Sequence, residues 1–428
     1  MRLPLPVGRG TPYLSNGWQS WSTAAEAHLG GRVIRTGPAD RAHHPIAEPP
    51  YDGDECYDVL AADGFVAGFA TGGGVLVARP DRGDLLAVRE GRGPHPPVLW
   101  AEGDRASLVG ALLDRVGGRV PATTPPGWCT WYCRYADISE ETVDADLRGA
   151  TELADAIDVF QVDDNFQAAV GDWQLTNGSF SNGLAAMADK IAQAGFRPGL
   201  WTAPFLLSPS SRLAGEHPDW FVRRPNGRRV AAAANRHWDG LVYSLDTSRP
   251  DVLDWLEGLY SHLVALGFTY LKLDFLYAAA LEGVRSRPVS GADALRLGLE
   301  AIRRGAGDDA FLLGCGCPLW PAIGVVDGMR VGPDVAPCWD PPSGSATEPS
   351  LANARRNAGA RSFMHGRLWA NDPDCVMLRR RHTALTPEQS RRWARWVADS
   401  GQMLILSDRF DHLDADDRAL WRDLVAAR

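Results

Sequence analysis

Up to about residue 120 the chain carries short apolar runs, at 64–70, 74–78 and 84–88, cut apart by glycines and Asp-Gly pairs. Short β-prone runs between turn residues predict hairpins, hence a small antiparallel, partly sandwiched β domain over residues 1–120. A helix is expected over 108–116, followed by the linker Pro121-Ala122-Thr123-Thr124-Pro125-Pro126. Beyond it the pattern changes. Apolar strand-like segments alternate with amphipathic helical ones, with strands expected at 127–131, 159–162, 197–202, 270–273, 310–314, 328–331, 362–369 and 402–406. Helices at 140–153, 183–194 and 251–266 fall between them, and a last one follows at 416–427. Eight such units over about 300 residues predict an α/β fold, a (β/α)8 TIM barrel over residues 121–428. The segment Asn16-Gly17-Trp18-Gln19-Ser20-Trp21-Ser22 reads as an aromatic staple between the two parts.

One strand breaks the apolar rule. Tyr270-Leu271-Lys272-Leu273-Asp274 ends in two charges at i and i+2, which point to the same side. Burying each costs several kcal/mol unless it is compensated. Lys272 is one of only two lysines, the other being Lys190, in a chain whose basic residues are otherwise arginine. A lysine kept there has a task, either a structural ion pair or chemistry.

Composition narrows the function. The net charge of −9 and the absence of a basic run argue against nucleic acid or an anionic membrane surface as partner. The first residues lack the apolar core of a signal peptide, and seven scattered cysteines do not suggest a disulfide framework, so a cytoplasmic setting is expected. Cys129-x3-Cys133 and Cys315-x-Cys317 lack metal-site spacing and a partnered histidine, so no metal is expected; no dinucleotide or phosphate loop motif predicts a cofactor.

Active sites of such barrels lie at the C-terminal strand ends. Those ends carry Trp131, Asp163 and Asp164, Trp201, Lys272 and Asp274, Cys315, Arg330 and Asp334, then Asp372 and Asp374. Carboxylates set among aromatics fit a glycosidase, with one acid attacking and one donating a proton. The sixteen tryptophans suit sugar stacking or plain core packing.

Seven pieces in order carry a family resemblance: Gly127-Trp128-Cys129-Thr130-Trp131, Val162-Asp163-Asp164-Asn165, Gly199-Leu200-Trp201-Thr202-Ala203-Pro204-Phe205, Leu271-Lys272-Leu273-Asp274-Phe275, Leu313-Gly314-Cys315-Gly316, Met329-Arg330-Val331-Gly332-Pro333-Asp334 and Asn371-Asp372-Pro373-Asp374-Cys375. Over roughly residues 127–375 the chain resembles glycoside hydrolase family 36, the α-galactosidases, in a compact form without a C-terminal β domain. The resemblance implies a retaining exo-α-galactosidase acting on small glycosides or oligosaccharides. Asp274 stands at the nucleophile's position and Asp334 at that of the acid/base. Lys272 and Arg330 match holders of sugar hydroxyls, Asp163 and Asp164 the grip on O4 and O6, and Trp201, Trp131 and Cys315 the pocket lining. An aromatic from the N-terminal domain is expected to reach the pocket, though the residues do not say which. Oligomeric state stays open. Activity on an α-N-acetylgalactosaminide or β-L-arabinopyranoside, galactosyl transfer, and non-catalytic sugar binding are the competing readings.

Overall fold

A computed structural model describes residues 1–31, 52–89, 95–238 and 240–428. Its N-terminal part holds two antiparallel sheets. One runs Arg2–Pro4, Asp84–Arg89, Gly74–Arg79, Asp54–Tyr57, and the other Ala25–His28, Pro12–Ser15, Val59–Ala62, Gly64–Phe69, Val98–Gly103. Tyr13, Leu60, Phe65, Leu76 and Val77 are wholly buried in the core of this part. Helix Arg105–Val116 opens on Asp104, whose carboxylate accepts the Ser107 N–H at 2.9 Å. It packs so tightly on the sheet that a Cβ on Gly68 would sit 2.5 Å from Leu112.

The staple at residues 16–22 ties this part to the barrel. Gln19 bridges to Pro318, and the Ser20 N–H donates to the Cys317 carbonyl at 2.9 Å. Across the joint lies the fully buried Arg361, donating to Asn16 Oδ1 at 2.8 Å and to the carbonyls of Ser20 (2.6 Å), Val331 (3.0 Å) and Gln19 (3.2 Å). A buried guanidinium persists only with its donors so occupied.

The barrel strands are Gly127–Cys129, Val159–Val162, Arg197–Thr202, Tyr270–Leu273, Phe311–Gly314, Gly328–Arg330, Ala370–Asp372 and Ile405–Leu406, parallel and in sequence order. The last pairs with the first through Gly127 and Trp128, and Leu406 bridges to Val376 just past the seventh strand, which closes the ring. The expected (β/α)8 barrel is therefore present.

Three expectations need correction. Residues 362–369 are not the seventh strand: Ser362–Met364 form a 3-10 turn that continues helix Leu351–Ala360, and Gly366, at φ +69°, turns the chain into a strand at Ala370–Asp372. That strand is polar. Asn371 is buried because Trp369 Nε1 donates to it at 3.1 Å and it donates to the Arg361 carbonyl at 3.0 Å, so hydrophobicity alone misplaces it. The first strand stops at Cys129, and Trp131 instead opens the short helix Trp131–Arg134. Between the third and fourth strands an unforeseen three-stranded sheet, Leu206–Leu207, Gly240–Ser244, Ala231–Asn235, folds over the barrel mouth.

Candidate active site

The fourth strand delivers Lys272 and Asp274 to the mouth, as the i, i+2 spacing requires. Directly after it Phe275 adopts the left-handed conformation, φ +51° and ψ +34°, rare for a bulky side chain. This turn aims the Phe275 N–H at Asp274 Oδ1, 2.8 Å away, while Trp201 Nε1 donates to Oδ2 at 2.9 Å. Both oxygens of Asp274 are thereby fixed. Trp201 is buried and touches the carboxylate through its N–H, so it orients Asp274.

The Lys272 ammonium donates to Asp163 Oδ2 at 2.9 Å and lies 4.0 Å from Asp274 Oδ2. Burial pulls its pKa down, but Asp163 and Asp274 outweigh this and hold it well above the usual lysine value. Asp163 also accepts from Gln161 Nε2 at 2.6 Å, and its other oxygen receives the Asp164 N–H at 3.0 Å. Asp164 accepts from Gln167 Nε2 at 2.6 Å and Trp238 Nε1 at 2.8 Å. Burial raises its pKa to about 6 against the pull of those two bonds, with Asp163 adding to the rise. Each carboxylate oxygen has two lone pairs, so a sugar hydroxyl still finds an acceptor here.

A second cluster is centred on the buried Arg330. Its Nη1 donates to Asp334 Oδ1 at 3.0 Å, Nε lies 3.4 Å from Asp372 Oδ2, and Nη2 lies 2.7 Å from Asp374 Oδ1. Asp374 is further held by Tyr132 Oη and by the Val335 N–H at 2.8 Å, next in the chain to Asp334. The walls of the pocket surround the Asp334 carboxyl, although 41% of its side chain stays open to the mouth. Desolvation raises its pKa to about 6; Arg330 opposes this, and Asp374 and Asp274 reinforce it.

The structure thus joins Asp163, Asp164 and Lys272 by hydrogen bonds, links them to the Trp201–Asp274 pair through the Lys272–Asp274 ion pair, and gathers Arg330 and Asp334 in a second cluster with Asp372 and Asp374. Cys315 lies buried at the end of the fifth strand, its thiol pKa pushed well up by burial first and by Asp274 next. Trp131 is half-buried with its ring edge-on to Tyr135 at 5.5 Å. Sequence reasoning missed Trp238, Gln161, Gln167 and Tyr132. It also left the N-terminal aromatic unnamed. From the N-terminal part, Trp21 meets Phe275, the residue after Asp274, edge-on at 5.1 Å and lies where a Cβ on Gly316 would come within 2.9 Å of it. Among the described residues no group of three or more His, Cys, Asp or Glu side chains is arranged to hold a metal, and no helix is long and apolar enough to cross a membrane.

A barrel with paired carboxylates and aromatics at its strand ends belongs to the glycosidase class, and comparison with known proteins agrees. The melibiase family model matches residues 127–289. The α-galactosidase TtGalA of Thermus thermophilus, solved with p-nitrophenyl α-D-galactopyranoside, superposes with a TM-score of 0.87 at 33% identity, covering 99% of this chain and 88% of that one. The α-galactosidase AgaA of Geobacillus stearothermophilus is 34% identical over 152 residues, which span 34% of this chain and 20% of AgaA. Its crystal structure superposes with a TM-score of 0.68 at 16% identity over the whole of this chain and 62% of that one. The mouse myogenesis-regulating glycosidase is 30% identical over 165 residues, 38% of this chain and 22% of that protein. The chain belongs to the melibiase family, glycoside hydrolase family 36.

Proposed function

We propose that the chain is a retaining exo-α-galactosidase acting on small galactosides. The observation that carries this reading is the contrast between its two candidate catalytic carboxylates. Asp274 is pinned at both oxygens beside a charged lysine, while Asp334 is half-open to the mouth and holds its proton to about pH 6. A nucleophile needs fixed, ionised oxygens; a general acid needs a retained proton and access to the leaving group.

In the proposed first step Asp274 Oδ attacks the anomeric carbon as the glycosidic bond breaks, and the departing oxygen takes the Asp334 proton. The product is a galactosyl ester of Asp274. Water then gives a proton to the Asp334 carboxylate and attacks the same carbon, releasing Asp274 and restoring the original anomeric configuration. Arg330 holds Asp334 in place, and Asp374 and Asp372 hold Arg330. Asp163 and Asp164, kept apart from water and braced by Lys272, Gln161, Gln167 and Trp238, receive the hydroxyls that distinguish galactose. The similarity to TtGalA, whose structure contains an α-galactoside, supports this choice of sugar.

Nitrophenol release from a panel of α- and β-linked nitrophenyl glycosides tests the reading. The α-galactoside should be cleaved fastest. Preference for the α-N-acetylgalactosaminide or the β-L-arabinopyranoside would reassign the substrate, and no turnover of any member would leave a sugar-binding protein.

A further inference from the structure

Away from the barrel mouth, a cavity of about 610 Å³ opens where helix Leu351–Ala360, helix Pro387–Asp399 and the N-terminal strands Pro12–Ser15 and Ala25–His28 meet. Its chemistry comes from Arg355, Arg356, Arg392, Trp339, Trp396 and Glu26. Three guanidinium groups against one carboxylate leave it at +2, in a chain whose net charge is −9. That one carboxylate is drawn outward, with Glu26 Oε1 lying 3.5 Å from Arg105 Nη2.

The arginines lie against π faces. Arg355 sits 5.7 Å over Trp396 and Arg392 5.1 Å over Trp339, and among the described residues none of the three arginines takes part in a salt bridge. Arg356 donates through Nη1 to Asn353 Oδ1 at 2.8 Å and through Nη2 to the Ala346 carbonyl at 2.6 Å. Its Nε is buried and has no partner. Arginine stems lying on tryptophan are ordinary packing. The buried, unmet Nε of the half-buried Arg356 is not, because an unmet buried donor costs about 1–3 kcal/mol. That Nε is closed off from the cavity; the donors an entering anion would meet are those of Arg355 and Arg392, which among the described residues make no hydrogen bond or salt bridge.

We propose that this cavity binds a small organic phosphate whose phosphate group lies among Arg355, Arg356 and Arg392 and whose flat body rests on Trp339. Guanidinium forks match phosphate oxygens in pairs, and the net +2 matches a phosphate dianion. Trp339 provides the platform for a ring, Trp396 being stacked on Trp393 at 5.3 Å, so the site favours an aryl or heterocyclic phosphate over the bare ion. The site lies outside the substrate pocket and does not depend on which sugar that pocket takes.

Isothermal titration of the full chain with phenyl phosphate, inorganic phosphate and phenol, in low and high salt, tests this. Phenyl phosphate should bind one site per chain, more tightly than inorganic phosphate, weaken as salt rises, and not be displaced by galactose; phenol should not bind. Arg392→Gln, at an exposed position that leaves the fold intact, and Arg356→Gln should each weaken phenyl phosphate by about tenfold. Trp339→Leu should bring it to the level of inorganic phosphate. Absence of binding at millimolar phenyl phosphate, equal affinity for the bare ion, or affinity untouched by the arginine substitutions would overturn the proposal. So would capture by phosphatidylglycerol vesicles without binding of phenyl phosphate, which would make the face a membrane-surface patch.

Discussion

Replacing Asp374 with Asn probes the hold on the proposed acid/base without touching it. Asp374 is one guanidinium away from Asp334 and also fixes the Val335 N–H. The amide can keep its oxygen on Arg330 and turn its NH2 toward Tyr132 Oη, which can accept it. The Val335 N–H then loses its acceptor, which costs about 1–3 kcal/mol and lowers Tm by a few degrees. The electrostatic consequence is the more telling one. The lost charge acts over roughly 6 Å; at an effective dielectric near 20 that is about 3 kcal/mol, and screening in the open mouth leaves about half, or one pKa unit. Arg330, relieved of one anion, pulls harder on Asp334, so the Asp334 pKa falls from about 6. The acid form is lost sooner as pH rises, and at pH 7 the protonated fraction drops by roughly ninefold for a one-unit fall. The assay is kcat/KM against pH for a substrate with a poor leaving group, alongside a dinitrophenyl galactoside that needs little proton donation. The alkaline limb should move to lower pH for the first substrate, with far less effect at neutral pH on the second. An unmoved limb, or equal loss on both substrates, would refute the argument.

In the native protein, kcat/KM for poor leaving groups should decline as pH rises through about 6, because Asp334 must hold its proton to donate it; a flat profile to pH 8, measured by the same assay, contradicts this. Asp334→Ala should slow a galactosyl disaccharide by several powers of ten and a dinitrophenyl galactoside far less; equal damage removes Asp334 from the role. Asp163→Asn and Asp164→Asn should narrow the lead of α-galactoside over α-glucoside, whereas a mere turn-capping role would lower Tm and leave the preference unchanged. Arg361→Met should lower Tm by abandoning the carbonyls of Gln19, Ser20 and Val331 at the joint, at a cost of about 3 kcal/mol or more in a melt followed by circular dichroism.

What was legible in the sequence was whatever period and local contrast encode. The fourth strand announced itself because two charges on an apolar strand share one face, and the structure puts Lys272 within reach of Asp163 and Asp274. The seventh strand was hidden because Asn371 and Asp372 are buried by hydrogen bonding rather than by apolarity. Ala231–Asn235 looks helical by propensity, yet pairs with Gly240–Ser244 in the sheet that brings Trp238 to Asp164. Nothing local to Trp238 signals that contact. The same holds for Trp21, which reaches Phe275 across a joint of more than two hundred residues in sequence. Arg330 could be read as a strand-end cation four residues before Asp334, but its clasp by Asp374 depends on how two strand ends meet in space.

In the proposed reaction Asp274 becomes covalently glycosylated. This step is tested most directly by incubating the protein with a fluorinated α-galactosyl fluoride, which forms the ester quickly and hydrolyses slowly, then digesting and mapping the product by mass spectrometry. One added fluorogalactosyl mass should appear on the peptide containing Tyr270-Leu271-Lys272-Leu273-Asp274, assigned to Asp274 by fragmentation. Its loss in Asp274→Ala should accompany loss of turnover. Rapid turnover of ordinary α-galactosides with no trapped adduct, or an adduct on any other carboxylate, would contradict it.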